Sequence, residues 1–597
     1  MNAYGRMPRE GTPSMHRNEG SGRDAARPHH ARPSRHAIGG SILAGFDPST
    51  LRSDVVAGVA VSAIVVPQSM AYAQIAGLPP QAGIFVSFAA PLAYALLGSS
   101  RQLICGPSSA TAAISAAHVA ALATGVADFA ALSAALAVLS GLIFVVLGLL
   151  RLGFVSQYIS SAVQIGFLFG LGLTIIVGQI YTMLGIEHGG GSFFEQVWRL
   201  MLYAGDAHGW TLAIGAASLA LVLGLGRFAP AFPAALLTVA LSIVVVSAFG
   251  LAERGVAVIG QIDRTIPTLA IPAVAPDRWL ALLPAALAVV FIGSSESITI
   301  ARQYANRHRY EVRPNQEFLA LGASGIASGL FHGFVTSGGA SQSAANDRAG
   351  AKSQASSVVL SVMALLTAVV LLPLIANLPL AVLAAIVINA VLGFVDVPAM
   401  RRVWQIGLPS FAVALVALAG VLAIGILNGL AFAVVLSIFW LLIEFSRPRI
   451  TEVAALPGSS AFVSAAAHPE AATPPGLITL RPEAALLFIN AEWVREGVQQ
   501  RIASASAPPR VVAIDLEESP YLSYTGIEAL FSLRQSADDA GVTLWLTNVH
   551  ERAETALRRA GFQPPNGPRT IFASHRDAVA AFGRLEPMPT DREETGR

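Results

Sequence analysis

Long apolar runs separated by short polar loops dominate the first three quarters of this chain. No Asp, Glu, Lys or Arg occurs within residues 55–100, 129–150, 152–186, 229–252, 353–395 or 403–443. A helix needs about 20 apolar residues to cross a bilayer, so several of these runs are long enough for two spans. The pattern predicts an all-α polytopic membrane domain.

The runs divide into fourteen hydrophobic segments, at about 53–75, 82–98, 107–121, 129–149, 158–184, 210–226, 231–250, 281–301, 315–331, 340–351, 356–375, 379–394, 409–425 and 427–445. Fourteen segments form two halves of seven. Because each half crosses the membrane an odd number of times, the second half is inverted relative to the first. The third segment of each half is short and opens on a Gly/Ser sequence, GPSS at 106–109 and SGGAS at 337–341. Interrupted segments at matching positions of inverted repeats indicate a transporter's binding site.

The stretch FVTSGGASQSAANDRAGAK at 334–352 is the strongest candidate for such a site. Irregular backbone at membrane depth is tolerated only where protein buries it or where it lines a watery cavity. A helix that starts there presents free N–H groups and a partial positive charge, which favour an anion. The alternative is that Gly and Ser let neighbouring helices approach closely.

The distribution of basic residues gives an independent test of the fourteen segments. With a cytoplasmic N-terminus, alternating segments place thirteen Lys and Arg in inside loops and four in outside loops, Arg199, Arg254, Arg264 and Arg278. This positive-inside bias predicts that both termini are cytoplasmic. Within one inside loop, Asp347 is expected to pair with Arg348.

Composition narrows the picture further. Only 12% of the 597 residues are charged, and the net charge of +2 gives no indication of nucleic-acid binding. The single cysteine, Cys105, excludes an internal disulfide and argues against a thiolate metal site. Residues 1–40 form a predicted disordered basic tail, and its first 35 residues lack the apolar region of a signal peptide. No cofactor is expected.

After the predicted membrane domain at 45–449, the composition becomes that of a soluble protein. A linker is predicted at 450–475, an α/β domain at 476–582 and a polar tail at 583–597. Strands are predicted at 486–489, 511–516 and 544–546, and helices at 493–502, 526–540, 552–560 and 576–582. Alternating strands and helices are typical of a small α/β domain.

Several motifs resemble the sulfate permease (SulP) family of anion transporters, which includes the prestin and pendrin relatives. They are VPQSMAYAQIAGLPPQAGIF at 66–85, LGSSRQLICGPSSATAAI at 97–114, SSESITIARQYANR at 294–307 and NQEFLALGASGIASGLF at 315–331, followed by the 334–352 stretch. The C-terminal part resembles the family's STAS domain. The resemblance implies a seven-plus-seven inverted repeat split into core and gate domains, an elevator-like movement of the site, and a homodimer.

Carried over from the family, the anion pocket comprises Gln68, Tyr72, Ser108, Ser341 and Gln342. Hydroxyl and amide groups would donate hydrogen bonds while two helix N-termini supply the field. Simpler roles exist for each residue: Gln68 in an interhelical hydrogen bond, Tyr72 in packing, and the two serines as helix caps.

Gln342 departs from the pattern, because many family members carry Arg at this position. A doubly charged substrate would then need another cation, and a proton is the natural candidate. Glu296 is the only ionisable residue in the middle of the eighth segment, and an acid at that depth is costly and functional by default. In proton-coupled relatives the matching glutamate resembles a coupling site. The alternatives are a structural salt bridge or a snorkelling acid.

In the STAS-like part, DLEESPYLSYTGIEAL at 515–530 resembles a loop that is phosphorylated in related anti-sigma-factor antagonists. Thr525 matches the modified position. Ser523 stands where Asp is usual, which argues against regulation by phosphate, and Thr525 would then cap the helix that starts at Gly526. The domain is interpreted as a regulatory or dimer-supporting module that a cytoplasmic regulator could bind.

These features predict a secondary transporter of the bacterial inner membrane, not an enzyme, that imports an inorganic oxyanion with a proton. Sulfate is favoured. The alternatives on the same fold are bicarbonate, chloride/bicarbonate or dicarboxylate transport, and sodium coupling ranks lower because only Ser and Thr hydroxyls surround Glu296 in sequence. An anion channel or a sensor acting through the STAS domain is the rival of a different class.

Overall fold

The computed structural model describes residues 48–154, 161–187, 191–229, 232–260, 267–371, 375–459, 461–505, 507–563 and 568–585. The basic tail predicted at 1–40 lies outside the described residues, as does most of the C-terminal tail predicted at 583–597.

All fourteen predicted segments contain helices. Those of the first half are α1 (Leu51–Ile75), α2 (Pro80–Leu97), α3 (Ser109–Leu122), α4 (Val126–Leu149), α5 (Ser161–Leu184), α6 (Phe193–Tyr203), α7 (Gly209–Phe228) and α8 (Ala234–Phe249). Those of the second half are α9 (Pro276–Ala281), α10 (Leu283–His308), α11 (Pro314–Leu330), α12 (Ala340–Arg348), α13 (Ala355–Leu366), α14 (Leu380–Val391), α15 (Val397–Ile406), α16 (Leu408–Ile424) and α17 (Ile426–Ser446). Within the described residues, seven of these helices are long and apolar enough to cross a membrane, and the stretch Leu380–Ile406, which contains α14 and α15, is an eighth candidate span.

Two of these helices, α6 and α15, are short, amphipathic and absent from the sequence prediction. Each follows the fifth segment of its half, so the two occupy equivalent places in the repeat. A capping box starts α6, in which the Ser192 side chain accepts from the Glu195 backbone while Glu195 bonds the Ser192 N–H. Asp396 caps α15 by accepting from the Ala399 N–H at 2.8 Å. With eleven and ten residues, neither can span a bilayer.

The membrane helices pack into two groups. We call α1–α4 and α10–α13 the core group, within which α11 packs on α2 and α4 while α13 packs on α1 and α2. We call α5, α7, α8, α14, α16 and α17 the gate group, in which α5 packs on α14 and α16 and α7 packs on α14. Close approach depends on glycine: a Cβ on Gly166 of α5 would lie 1.9 Å from the Ala414 carbonyl oxygen of α16.

A pair of two-residue strands joins the third segments of the two halves. β1 (Cys105–Gly106) pairs antiparallel with β2 (Ser337–Gly338). Helices α3 and α12 start two or three residues after these strands, so their N-termini are neighbours and their axes lead away in opposite senses. Helix α12 has only nine residues, as expected for a half-helix.

Side-chain hydroxyls hold this crossing in place. The Ser297 hydroxyl of α10 accepts from the Gly338 N–H at 2.7 Å, and the Ser343 hydroxyl of α12 accepts from the Ile104 N–H at 2.9 Å. Ser297 and Ser343 are fully buried. The irregular backbone around the two helix starts is therefore satisfied by protein groups, as buried polar backbone must be.

The C-terminal part forms a six-stranded sheet in the order β4-β3-β5-β6-β7-β8. Its strands are β3 (Ile450–Ala455), β4 (Phe462–Ser464), β5 (Leu477–Pro482), β6 (Val511–Asp515), β7 (Thr543–Thr547) and β8 (Ile571–Phe572). β5 to β8 are parallel, while β3 is antiparallel to β4 and β5. The helices are α18 (Ala491–Ala503), α19 (Tyr524–Asp539), α20 (Glu551–Arg559) and α21 (His575–Phe582).

Two predictions for this part were wrong in detail. Residues 486–489 form no strand, because the Leu486 N–H donates to the Ser519 hydroxyl and the Leu487 N–H to the Asn490 side chain, at 2.9 and 2.8 Å. The strand lies earlier, at β5. The stretch 450–475, predicted to be a linker, contains β3 and β4, because β3 pairs with β5 and thereby extends the sheet, with β4 at its edge.

Candidate functional site

A cavity of about 220 Å³ opens where α3 and α12 begin. That volume equals roughly seven water molecules at about 30 Å³ each, which suits a small solute. The core group contributes most of its wall, and the end of α14 closes the opposite side. The lining residues are Tyr72, Pro107, Ser108, Ser109, Glu296, Gly339, Ala340, Ser341, Gln342, Ala390, Gly393 and Phe394.

Glu296 connects the two half-helices. It lies on α10, and its Oε2 atom accepts from the Ser108 hydroxyl at the start of α3 and from the Ser337 hydroxyl just before α12, each at 3.2 Å. Ser108 occupies the N-cap position of α3 but makes no capping hydrogen bond. The Ser108 hydroxyl therefore donates to the Glu296 carboxylate and does not cap α3.

Tyr72 and Ser341 both line the cavity, and their side chains interact. Tyr72 is buried on α1, and its hydroxyl interacts with the side chains of Ser109 and Ser341. Ser341 is the second residue of α12, and the N-cap is Gly339. Ser341 is exposed toward the cavity and does not occupy the capping position.

The two glutamines differ in their placement. Gln342 lines the cavity; its Nε2 donates to the Pro107 carbonyl at 3.1 Å, and its buried Oε1 has no hydrogen-bond partner among the described residues. Gln68 is buried on α1, one turn before Tyr72, and is not among the residues that line the cavity. Its Oε1 also lacks a partner within the described part of the chain.

The electrostatic character of the cavity comes from backbone and from one acid. The first N–H groups of a helix have no intrahelical partner and carry the positive end of the helix dipole. Two such ends meet here, and no Lys or Arg is among the residues lining the cavity in the described part of the chain. Glu296 is the only carboxylate in that set. The arrangement can bind an anion by neutral donors beside a group able to take up a proton.

Sequence reasoning missed Ser337 and the side of the cavity formed by the gate group. Ser337 belongs to the Gly/Ser opening of the tenth segment, but its contact with Glu296 depends on the pairing of β1 with β2. Phe394 and Gly393 follow α14 in an apolar run that carries no chemical signal. Asp347 was also misassigned: it pairs with Arg307 and His308, at 2.6 and 2.5 Å, because α10 ends beside it.

In the C-terminal part, Ser523 caps α19 by accepting from the Gly526 N–H at 3.1 Å. Thr525 was predicted to cap this helix, but it lies within the first turn and is exposed. Ser523 therefore caps α19, and Thr525 does not.

A buried polar cluster lies at the end of β6. Asp515 accepts from His575 Nε2 at 2.9 Å, from Asn548 Nδ2 at 3.0 Å and from the Arg481 guanidinium. Burial raises the pKa of the Asp515 carboxyl, but the hydrogen bonds from His575 and Arg481 outweigh it and lower the pKa to about 2. Asp515 is therefore ionised at neutral pH and ties β5, β6 and α21 together.

Two broken helices that meet at a cavity inside an inverted-repeat membrane domain are the architecture of a secondary transporter. Comparison with known families agrees. The sulfate permease family matches residues 51–417, and the STAS domain matches residues 468–578. This chain belongs to the sulfate permease family, whose members are membrane transporters of anions and not enzymes.

Relatives match over nearly the whole length. A probable sulfate transporter of Mycobacterium tuberculosis is 34% identical over 535 residues, which cover 89% of this chain and 96% of the relative. Sulfate transporter 1.1 of Arabidopsis thaliana is 29% identical over 558 residues, covering 89% and 85%.

Solved structures share the fold. SLC26A9 superposes with a TM-score of 0.81 at 23% identity, over 91% of both chains. The transmembrane domain of the cyanobacterial bicarbonate transporter BicA gives a TM-score of 0.57 at 20% identity, covering 66% of this chain and 98% of that domain. The predicted membrane architecture followed by a STAS domain is thereby confirmed.

Proposed function

We propose that this protein imports sulfate together with a proton. The observation that carries the proposal is the lining of the cavity: two helix N-termini and several hydroxyls, one carboxylate, and no basic side chain among its described residues. The two helix N-termini together supply roughly one positive charge, which leaves one charge of a divalent anion without compensation. A proton on Glu296 removes the repulsion that its carboxylate would otherwise exert. The names of the relatives favour sulfate among oxyanions.

The proposed mechanism is an elevator-type movement of the core group against the gate group. Glu296, Ser108, Ser337, Ser341 and Tyr72 all belong to the core group or to the strand pair beside it. The site would therefore travel as one unit, while Phe394 and its neighbours form the stationary side. Rigid-body movement of one bundle against another is the common form of alternating access.

The proposal also covers the orientation of the protein in the membrane and its assembly into a dimer. Thirteen basic residues in alternate loops against four in the others support cytoplasmic termini in an inner membrane. The transport unit would extend over 45–449 and the STAS domain, with β3 and β4 included, over 450–582. Two copies would form a homodimer whose STAS domains bind a cytoplasmic regulator. Cross-linking in native membranes followed by mass measurement tests the dimer.

The decisive experiment is labelled-sulfate uptake into proteoliposomes, with and without an inward proton gradient. Wild type should accumulate sulfate above equilibrium only with the gradient. Glu296→Gln should abolish gradient-driven accumulation while retaining sulfate binding, because the amide cannot exchange a proton. Glu444→Gln, on the exposed surface of α17, is the matched control and should behave as wild type.

Two outcomes would contradict the proposal. Accumulation that ignores both pH and Glu296→Gln would remove the coupling role of Glu296. If no sulfate enters the proteoliposomes under any gradient, sulfate is rejected as the substrate.

A further inference from the structure

The two amphipathic helices α6 and α15 occupy equivalent places in the repeat but differ in charge. Helix α6 exposes Phe194 and Trp198 and carries one acid and one base, Glu195 and Arg199. Helix α15 carries two adjacent bases, Arg401 and Arg402, and no acid within its ten residues. The two helices are therefore equivalent in position and both amphipathic, but they differ in charge.

One side of α15 packs on the protein and the rest is uncovered. Ala399 and Val403 are buried. Val397, Trp404 and Ile406 are 59%, 57% and 81% exposed. These three apolar residues together with Arg401 and Arg402 define what we call the α15 surface.

The arginines of the α15 surface are poorly compensated. Arg402 lies 3.9 Å from Asp396, at the limit of an ion pair, and its side chain is 66% exposed while that of Asp396 is 45% exposed. Arg401 is exposed and forms no salt bridge with any residue that the structure describes. Trp404 makes an edge-on contact with the Phe411 ring at 4.7 Å between centroids. The surface combines two cations with an exposed aromatic ring.

We propose that the α15 surface binds an anionic phospholipid of the membrane leaflet that it faces. Arg401 and Arg402 would donate hydrogen bonds to the lipid phosphate, while Trp404 and Ile406 lie in the upper acyl region, where amphipathic helices place their apolar side chains. The cytoplasmic leaflet is the negatively charged one. This assignment uses the orientation proposed above but not the identity of the transported anion.

Lipid binding at α15 is connected to the site through a very short segment. Phe394 lines the cavity, and only Val395 and Asp396 separate it from Val397, the first residue of α15. A lipid that fixes α15 also restrains this side of the cavity. Anionic lipid is therefore expected to increase uptake as well as to bind.

The test measures lipid retention by the purified full-length protein. The protein is equilibrated with equimolar phosphatidylglycerol, which is anionic, and phosphatidylcholine, which is zwitterionic, and retained lipids are counted by native mass spectrometry. Wild type should retain phosphatidylglycerol preferentially. Arg401→Gln/Arg402→Gln should lower that preference by up to roughly 30-fold, since each basic residue near an anionic surface contributes about 1 kcal/mol.

Arg552→Gln/Arg559→Gln is the matched control, because it removes the same charge from exposed positions of the soluble helix α20 and should keep the preference. A wild-type protein that retains both lipids equally would overturn the proposal, and so would a double variant that keeps the wild-type preference. Because retention is read without transport, a failure of the sulfate assignment leaves this result intact.

A second measurement does not depend on the folding of the arginine variants. Brominated phosphatidylglycerol should quench tryptophan fluorescence more than brominated phosphatidylcholine does, and Trp404→Phe should abolish that difference. Equal quenching by the two lipids in wild type would contradict a site for anionic lipid beside Trp404.

Uptake should also rise with the phosphatidylglycerol fraction in wild type and lose this dependence in Arg401→Gln/Arg402→Gln.

Discussion

Single hydroxyl groups decide the chemistry of the site. Ser108 stands at the N-cap of α3, yet it donates to Glu296, which leaves the helix end without a side-chain cap. The family resemblance pointed to Ser108, and an acid at membrane depth in the sequence pointed to Glu296. The sequence could not identify Ser337 or separate Gln68 from the cavity, because both depend on how distant segments approach.

Gln342 is the residue at which the charge balance can be tested. Gln342→Arg places a fixed positive charge in the cavity beside Glu296, so the anion should no longer need a proton for compensation. The ratio of uptake with and without a proton gradient should fall toward one. Gln342→Met, similar in size and neutral, should keep the wild-type ratio. An active Gln342→Arg protein with full gradient dependence would reject this account.

The low pKa of Asp515 predicts that the C-terminal domain loses stability in acid. The hydrophobic core of this domain consists of its own residues. The folded pKa of about 2 lies below the ordinary value of 3.8, so the ionised form stabilises the fold above about pH 4. That contribution, roughly 2 kcal/mol, is lost as the pH falls from about 4 to 2.

Asp515→Asn should therefore lower the free energy of unfolding at pH 6, and the difference from wild type should shrink toward pH 2. Chemical denaturation of a fragment spanning 447–585 measures both values, with Asp539→Asn on the exposed end of α19 as the control. A difference that stays constant with pH would show that the charge of Asp515 does not stabilise the domain.

At the scale of elements, the fourteen hydrophobic segments were predictable and the amphipathic helices α6 and α15 were not. A span of about 20 apolar residues leaves a signal in the sequence alone. Helices α6 and α15 are amphipathic over only eleven and ten residues, and an isolated segment of that length is too short to form a stable helix. The strands β1 and β2 have two residues each and exist only because the two halves bring them together. The 486–489 run is apolar because Leu486 enters the core of the domain, and its loop backbone bonds to side chains.

Glycine packing between α5 and α16 gives a prediction at this scale. Gly166→Ala should lower the Tm of the purified protein, because the new Cβ would lie 1.9 Å from the Ala414 carbonyl oxygen and overpacking costs about 1–3 kcal/mol. Gly224→Ala in α7 meets nothing within 4 Å and should leave the Tm unchanged or raise it, since alanine favours helix. Equal Tm values for the two variants would mean that α5 and α16 are not in close contact.

The whole molecule has a contact between its two groups of helices that the proposed elevator movement would have to break. The Ser295 hydroxyl of α10 donates to Gln164 Oε1 of α5 at 3.3 Å, next to Glu296. Apolar side chains surround this hydrogen bond, among them Phe167, Phe291 and Leu430. One polar contact in an apolar interface can be exchanged at low cost, which suits two groups that slide past each other.

Cross-linking across this interface tests whether the two groups move. In Gln164→Cys/Ser295→Cys, a short thiol-reactive cross-linker should join α5 to α10 and stop uptake, and cleavage of the linker should restore it. The native Cys105 is fully buried and so leaves a clean background. Leu97→Cys/Gln316→Cys is the control, because Gln316 Nε2 contacts the Leu97 carbonyl at 2.8 Å, both residues are partly exposed, and both lie within the core group. Uptake should survive that cross-link if the core group moves as a rigid body. Undiminished uptake with α5 joined to α10 would rule out movement of the core group past the gate group, and alternating access would then have to arise from local rearrangement around the cavity.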